Sequence, residues 1–309
     1  MSSGRLPNLL IVGVPKAGTG SLFAYLAQHP DICRSDEKEL GYFNYFNPAR
    51  HPDQEPPPID SYMQHFTQCT GQRYAMEATP SYSFQGEPVV AAIQRVLQQP
   101  RIVLSLRSPA DRLWSAYTFQ RSLGNISGIH SFDEYLTECE RRRREGTDLL
   151  PHSAVQGLSI GFYAEYLGIW LEAFGGNLKV VFAEEMAGDP TTVVEELLRW
   201  LELDAEAVSA MDLGARNVTK HARSPRAART VYTLKRRVDR ANVLPPELRE
   251  RFRRGYLRLN AGALSERPHP RTLQRAEAMY RDSTAATARM LLAHGYRGLP
   301  SWLNTNTAA

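Results

Sequence analysis

Residues 8–26 read NLLIVGVPKAGTGSLFAYL, and this stretch decides the fold. Its first part, 9–12, is an unbroken apolar run, which is typical of a strand buried on both faces of a sheet. A turn with one Pro and two Gly follows, and from Ser21 the apolar residues recur at helical spacing. A strand, a turn and a helix in this order place backbone N–H groups at a helix N-terminus, where anions bind. The stretch therefore predicts a phosphate-binding turn.

The turn itself supplies the predicted phosphate ligands, which are Lys16, Ala17, Gly18, Thr19, Gly20 and Ser21. Lys16 adds a positive charge, and Thr19 and Ser21 add hydroxyl donors. The turn differs from the nucleotide-binding pattern G-x-x-x-x-G-K-[ST], because its Lys precedes the glycines. An ordinary strand-to-helix turn, in which the glycines serve only backbone geometry, is the alternative, since short glycine motifs often match by chance.

A second constellation follows the apolar stretch 101–106, RIVLSL. Arg107 stands at the carboxyl end of this predicted strand, where ligands bind in open α/β sheets. Ser115 lies eight residues later, about two turns into a helix predicted to begin near Pro109. Arg107 and Ser115 can therefore converge on one phosphate, and the alternative is a capped helix start with Arg107 paired to Asp111 or another acid. This strand carries no acid of the Walker B kind, which argues against magnesium-dependent phosphoryl transfer.

The two motifs, P-K-x-G-T-x-S at 15–21 and R-x-P-x-x-R-x-x-S at 107–115, together resemble the phosphate motifs of one enzyme family. They are similar to the 5′- and 3′-phosphate sites of sulfotransferases that use 3′-phosphoadenosine-5′-phosphosulfate (PAPS). KELGYF at 38–43 and MEATPSY at 76–82 resemble the catalytic loop and a later strand of the heparan sulfate sulfotransferases. The resemblance covers most of residues 8–200, and beyond 210 the match is poor.

This resemblance implies transfer of the sulfuryl group from PAPS to an acceptor hydroxyl, without a metal ion. Lys16 is then a catalytic residue that neutralises charge on the leaving group, and Arg107 with Ser115 holds the 3′-phosphate. The implied acceptor is a small molecule, a carbohydrate or a lipid, and no nucleic acid is expected as a partner. The identity of the acceptor is left open, as is the oligomeric state.

The resemblance also makes Glu39 the general base. A carboxylate needs a raised pKa for that role, and we expect the aromatic residues of 42–46 (YFNYF) to desolvate it. The residues alone favour a surface acid in a charged loop. His65 and His130 are rival bases, and we interpret both as structural. Ala78 stands where the family often has a lysine, so one contact of the family's site is missing or supplied elsewhere.

Strand patterns that alternate with helical patterns predict the α/β class. We expect a single domain over 1–309, with a parallel sheet flanked by helices and a P-loop-like nucleotide-binding architecture. Its core is 8–200, and 210–309 holds a basic segment and C-terminal helices. Residues 32–46, which include the predicted catalytic loop, are expected to have no regular secondary structure. Residues 159–174 are predicted to form one amphipathic helix.

The three cysteines, Cys33, Cys69 and Cys139, are odd in number and widely separated in the sequence. This pattern predicts three separate thiols in a reducing compartment. No apolar run approaches the roughly 18 residues that a membrane-spanning helix needs, and the N-terminus lacks the apolar region of a signal peptide. The predicted location is therefore cytoplasmic.

Charge is unevenly distributed. Residues 216–258 hold fourteen Lys or Arg against three acids, a net of +11, so the rest of the chain carries −7 of the total +4. Such a segment indicates an anionic ligand or a solvated helical face. The resemblance implies that Lys220 and Arg223 close over the 3′-phosphate, and we expect bound nucleotide to protect them from trypsin. The alternative function is a non-catalytic phosphate- or polyanion-binding protein that uses the same loops and segment 216–258.

Overall fold

A computed structural model describes most of the chain: residues 4–52, 54–126, 128–148, 153–214, 221–222, 261–262 and 268–304. The chain divides into two compact units. The first, here called the sheet unit, consists of 1–109, 160–216 and 280–309, and the second consists of 110–159 and 217–279. A single domain over 1–309 stays a prediction, and each unit is described by itself.

The sheet unit is built on five strands: β1 Leu9–Gly13, β2 Ile32–Arg34, β3 Tyr74–Ala78, β4 Arg101–Leu106 and β5 Leu178–Phe182. The strand order is β2-β3-β1-β4-β5, and every neighbouring pair is parallel. The predicted parallel α/β sheet is thereby confirmed. The irregular structure predicted for 32–46 is wrong at both ends, because Ile32 pairs with Tyr74 in β2 and a 3-10 helix spans Tyr42–Phe46.

α-Helices occur in both units of the described chain. The α-helices are α1 Thr19–Leu26, α2 Ile59–Met63, α3 Glu87–Leu97, α4 Pro109–Ser122, α5 Phe132–Arg144, α6 Leu167–Phe174, α7 Ala183–Gly188, α8 Pro190–Trp200 and α9 Pro270–Ala293. In the second unit, His221–Ala222 and Ala261–Gly262 form a short antiparallel pair, β6 and β7. Within the described ranges, no helix has the length and apolar character needed to cross a bilayer.

The long helix predicted over 159–174 is wrong in its first half. Two short 3-10 turns precede α6, at Ser159–Gly161 and Tyr163–Glu165. The Tyr163 hydroxyl donates to the Arg107 carbonyl at 2.7 Å, and the Tyr166 hydroxyl donates to the Ile160 carbonyl at 2.7 Å. These hydrogen bonds outside a regular helix outweigh the apolar periodicity on which the prediction was based.

Side chains of alternate strand positions form the main core. Leu9 and Ile11 of β1 and Met76 of β3 pack with α1 and α8, in a cluster that includes Val194 and Leu197. β1 reads as a continuous apolar run, and every residue of β1 and β3 is buried, because both faces of a parallel sheet are covered. The packing fixes the strands, and therefore fixes where the loops at their carboxyl ends begin.

The prediction of three separate thiols is wrong. Cys33 and Cys69 form a disulfide with a Cα–Cα distance of 5.5 Å, inside the usual range for such bonds. The bridge forms because β2 runs beside β3, and Cys69 comes shortly before β3 in the chain. Cys139 is buried and unbridged, and burial raises the pKa of its thiol to about 12. The cytoplasmic location stays a prediction, and it loses one of the observations on which it was based.

Candidate active site

The predicted site residues of the sheet unit follow the carboxyl ends of its parallel strands. Lys16 follows β1, Glu39 follows β2 and Arg107 follows β4. The chain leaves β1 toward β2 on one side and leaves β4 toward β5 on the other. The crevice between β1 and β4 is therefore the topological switch point of the sheet, which is where open α/β sheets bind ligands.

Contacts from β4 hold the phosphate turn, defined here as residues 14–21. The Ser105 hydroxyl donates to the Ala17 carbonyl at 2.5 Å, and Arg107 Nη1 donates to the Lys16 carbonyl at 3.3 Å. The Val14 amide donates to the Ser105 carbonyl at 2.7 Å. Because the C=O and N–H of a trans peptide point in opposite directions, anchoring the Ala17 carbonyl on β4 directs the next amide away from β4.

The turn ends in the N-terminus of α1. Gly18 precedes the helix with φ of 81°, a left-handed conformation that favours glycine, and a Cβ there would lie 2.3 Å from the Met186 methyl carbon. The Ser21 and Leu22 amides donate to the Gly18 carbonyl. The remaining donors of the first turn are those of Thr19 and Gly20, so the helix end has the form of an anion site.

Lys16 and Glu39, the two predicted catalytic residues, share an uncommon backbone conformation. Their φ angles are 73° and 66°. The other non-glycine residues with positive φ in the described part of the chain are Gln98 and Glu202, and both follow the C-terminus of a helix, where this conformation is ordinary. In a loop such a residue costs about 1–3 kcal/mol and persists only when its surroundings hold it, as at functional sites.

Arg107 lies between the phosphate turn and β5. Besides its side-chain contact with Lys16, its carbonyl accepts the Tyr163 hydroxyl at 2.7 Å, and the next amide, of Ser108, donates to Glu184 Oε1 at 2.8 Å. Arg107 belongs to the sheet unit and Ser115 to the second unit. Their convergence on one phosphate stays a prediction.

Glu39 is exposed, and the expectation that aromatic residues shield it is wrong. Its side chain is 62% exposed, and its carboxylate pairs with the Lys38 ammonium at 2.7 Å. The Tyr42 ring instead stacks on Tyr62 with centroids 4.4 Å apart, and Phe43 packs edge-on against Tyr82. These aromatic residues turn inward because their burial stabilises the fold, and they leave the acid at the surface.

A buried carboxylate lies behind Glu39, and the sequence reasoning missed it. Glu77 of β3 is 0% exposed, and its carboxylate accepts the hydroxyls of Thr79 at 2.6 Å, Tyr82 at 2.8 Å and Tyr62. Burial raises the pKa of Glu77, and the three hydrogen bonds act in the opposite direction. The signal was present in the sequence, since an acid in the otherwise apolar strand YAMEA must be paired.

The remaining predicted residues are placed as follows. His65 lies in a short 3-10 helix and pairs with Asp36 at 2.7 Å, in keeping with a structural role. Lys220 and Arg223 lie outside the described residues. The described ranges contain no group of three or more His, Cys, Asp or Glu that could hold a metal ion, and the metal-free reaction stays a prediction.

Comparison with known proteins identifies relatives in sequence. The bifunctional heparan sulfate N-deacetylase/N-sulfotransferase of Drosophila melanogaster is 32% identical over 213 residues, which are 64% of this chain and 20% of that protein. The heparan sulfate glucosamine 3-O-sulfotransferase 3A1 of Mus musculus is 31% identical over 202 residues, 65% of this chain and 47% of that protein. The chain thus matches between a fifth and half of the length of these relatives.

Comparison with solved structures shows the fold. The crystal structure of a sulfotransferase from Alicyclobacillus acidocaldarius has a TM-score of 0.66, covers 96% of this chain and 99% of its own, and is 22% identical. The model of the sulfotransferase domain family matches residues 6–256, most of the chain. The chain therefore belongs to the sulfotransferase domain family.

Proposed function

We propose that this chain transfers the sulfuryl group of PAPS to a hydroxyl of a small-molecule, carbohydrate or lipid acceptor by in-line displacement. The phosphate turn carries this proposal. Its carbonyls are held by Ser105 of β4 and by Arg107, and its amides lie at the N-terminus of α1. Lys16 lies in this turn with a positive φ, beside the switch point of the sheet. A turn of this kind suits a phosphate group.

On the donor side, the Thr19 and Gly20 amides with the Thr19 and Ser21 hydroxyls hold the 5′-phosphate of PAPS. Ala17 and Gly18 shape the turn through their backbone. Lys16 stabilises the charge that grows on the oxygen between phosphate and sulfur as that bond breaks. PAPS brings the sulfuryl group in an activated form, so the protein's task is to bind, orient and stabilise charge.

Arg107 and Ser115 bind the 3′-phosphate. A guanidinium presents a planar set of donors that matches a phosphate group, so Arg107 distinguishes PAPS from adenylates without the 3′-phosphate. We propose that Lys220 and Arg223 complete this site. Limited trypsin digestion tests this role of Lys220 and Arg223. Cleavage after both residues at the same rate with and without saturating 3′-phosphoadenosine-5′-phosphate would show that they do not belong to the 3′-phosphate site.

On the acceptor side, Glu39 takes the proton of the attacking hydroxyl. Its carboxylate is exposed in the free protein, where it is accessible to an acceptor, and catalytic hydrogen bonds often tighten only when substrate is bound. Relatives named above are N-sulfotransferases as well as 3-O-sulfotransferases. The names of these relatives include heparan sulfate, which supports testing a carbohydrate acceptor first.

A titration tests the donor assignment. The bisphosphate 3′-phosphoadenosine-5′-phosphate and ATP are titrated against the protein with EDTA and with magnesium, each at two salt concentrations. We expect the bisphosphate to bind more tightly than ATP and without metal. Equal, weak binding of both that falls steeply with salt would contradict the proposal and favour polyanion binding through 216–258, most of which lies outside the described residues.

Matched sugars test the acceptor assignment. Sulfur-labelled PAPS is incubated with the protein and glucosamine, N-acetylglucosamine or a glycolipid, and the position of the label is read by mass spectrometry. Label on a hydroxyl of N-acetylglucosamine or of the lipid head group supports O-transfer. Label only on the free amine of glucosamine would overturn the O-specificity and leave sulfuryl transfer standing.

A further inference from the structure

We propose that Glu77 is a positioning residue for the acceptor side of this site, a proposal that rests on the assignment of Glu39 as the base. Glu77 lies one residue before the carboxyl end of β3 and is 0% exposed, so it acts only through other groups. The hydroxyls that contact it are buried as well, with exposures of 2% for Tyr62, 3% for Thr79 and 0% for Tyr82. A carboxylate buried at this depth is retained only with strong hydrogen bonds.

Two hydrogen-bond chains run from Glu77 to the loop that carries Glu39. Its Oε1 accepts the Thr79 hydroxyl at 2.6 Å, and the Thr79 oxygen in turn accepts the Gly41 amide at 3.2 Å. Oε1 also accepts the Tyr82 hydroxyl at 2.8 Å, and the Tyr82 oxygen accepts the Phe43 amide at 3.2 Å. One carboxylate oxygen is thus linked to two backbone amides of the loop.

The direction of these chains depends on the carboxylate. A hydroxyl has one hydrogen to donate and lone pairs with which to accept. An ionised carboxylate can only accept, so it fixes the hydrogens of Thr79 and Tyr82 on itself and leaves their lone pairs toward the loop. Without it, either hydroxyl hydrogen can rotate toward an amide N–H, which would place two donors against each other.

These contacts hold a loop that is strained. The φ angles of Glu39 and Gly41 are 66° and 71°. The Glu39 amide donates to the Ala78 carbonyl at 3.0 Å, so every second residue of the loop from Glu39 to Phe43 is bonded to the end of β3 or to the residues that follow it. Glu39 is exposed, and among the described residues its ion pair is with the adjacent Lys38, so backbone anchoring sets the direction in which its side chain leaves the loop.

Tyr62 provides a matched control. Its hydroxyl donates to the other oxygen of Glu77, Oε2, and among the described residues it accepts no amide of the loop. Its ring stacks on Tyr42, a contact that phenylalanine preserves. Tyr62→Phe and Tyr82→Phe therefore remove the same chemical group from the same carboxylate, and only the second breaks a chain to the loop.

Residue-resolved hydrogen exchange on the full chain tests the positioning directly and needs no substrate. We expect Tyr82→Phe to speed exchange of the Phe43 amide, and Thr79→Val that of the Gly41 amide, each by about 2- to 10-fold, the value of one hydrogen bond. Tyr62→Phe should leave both amides unchanged. Equal effects of Tyr62→Phe and Tyr82→Phe on these amides would overturn the proposal, because the cluster would then serve only general stability.

The kinetics of sulfuryl transfer provide the second test. Tyr82→Phe and Thr79→Val should lower kcat by about 10-fold or more through misplacement of Glu39, with the affinity for 3′-phosphoadenosine-5′-phosphate unchanged. Glu77→Gln, whose amide oxygen can still accept from Thr79 and Tyr82, should retain more activity than Glu77→Leu. Where Glu77→Leu fails to fold, the Thr79 and Tyr82 variants decide. A wild-type protein that binds no bisphosphate would refute the proposed function, whereas the exchange result would stand independently.

Discussion

The phosphate turn, 14–21, and the acceptor segment, 35–46, follow β1 and β2, two strands of one sheet with β3 between them, but are held in different ways. The turn is short, and three hydrogen bonds between 14–17 and 105–107 anchor it to the next strand. The acceptor segment is longer, and buried side chains from β3 and the residues after it anchor it through Thr79 and Tyr82. The disulfide between Cys33 and Cys69 encloses it as well.

This difference shows which parts of a functional site can be predicted from local sequence patterns. A helix N-terminus after a strand binds phosphate through its backbone, so the turn needs few specific side chains and its pattern is local. The acceptor segment depends on side chains that are 35 to 40 residues away in the chain. The two predicted catalytic residues share a positive φ, but the turn of Lys16 is held by Ser105 and Arg107, and the loop of Glu39 by the hydroxyls bonded to a buried carboxylate.

The largest expected effect is at the acceptor segment. Glu39→Gln removes the proposed base while keeping its size, and turnover with the true acceptor should fall by about 10²- to 10⁴-fold. The affinity for the bisphosphate should not change, because Glu39 lies outside the phosphate turn. Glu37→Gln, which changes a neighbouring acid of the same segment, is the control. Steady-state kinetics with labelled PAPS measure both variants, and turnover of Glu39→Gln within about threefold of wild type would show that another group is the base.

The next effect concerns the phosphate turn. Lys16→Ala keeps a Cβ at the positive φ, so it changes the charge without relieving the backbone. Turnover should fall by about 10²- to 10³-fold, and bisphosphate affinity should fall less, because the lysine acts mainly on charge that develops in the transition state. Lys179→Ala on β5 is the control. Unchanged turnover at saturating substrate together with weakened bisphosphate affinity would mean that Lys16 contributes only to binding.

Removal of the disulfide should lower the stability of the fold and leave nucleotide binding at the phosphate turn intact. Cys33→Ser with Cys69→Ser opens a loop closed across 36 residues and should lower the free energy of unfolding by about 2–4 kcal/mol. The bridge encloses the acceptor segment and not the phosphate turn. The affinity for the bisphosphate should therefore be unchanged at urea concentrations below the unfolding transition. Urea unfolding and titration measure the two quantities, with Cys139→Ala as the control outside the bridge. Identical urea midpoints with and without the bridge would contradict this account.

Burial of Glu77 predicts the smallest effect, a dependence of stability on pH. Its pKa is raised in the folded protein by desolvation, so the folded state binds more protons than the unfolded state above the ordinary pKa of the group. The associated stability is present below that ordinary pKa and is lost as pH rises through the raised one. The free energy of unfolding of wild type and of Glu77→Gln is measured between the ordinary and the raised pKa. We expect this free energy to fall with rising pH in the wild type alone. Parallel pH curves would show that Glu77 does not titrate in the window.

The sequence predicted the central strands and the phosphate turn because their signals are local. The stretches 9–12 and 101–106 are confirmed as parts of β1 and β4. β2 was missed because a three-residue edge strand has no periodicity of its own. The role of Glu77 was missed for the same kind of reason, since its partners are distributed along the chain from Tyr62 to Tyr82.

The central claim, that the donor nucleotide is bound by the phosphate turn and the acceptor by a separately anchored segment, has one direct measurement. Hydrogen exchange of the full chain is followed with and without saturating 3′-phosphoadenosine-5′-phosphate and without metal. We predict that peptides covering 14–26 exchange more slowly with the ligand, while peptides covering 35–46 exchange at the same rate. Unchanged exchange in 14–26 despite saturated binding would contradict the claim, because the nucleotide would then occupy another part of the chain.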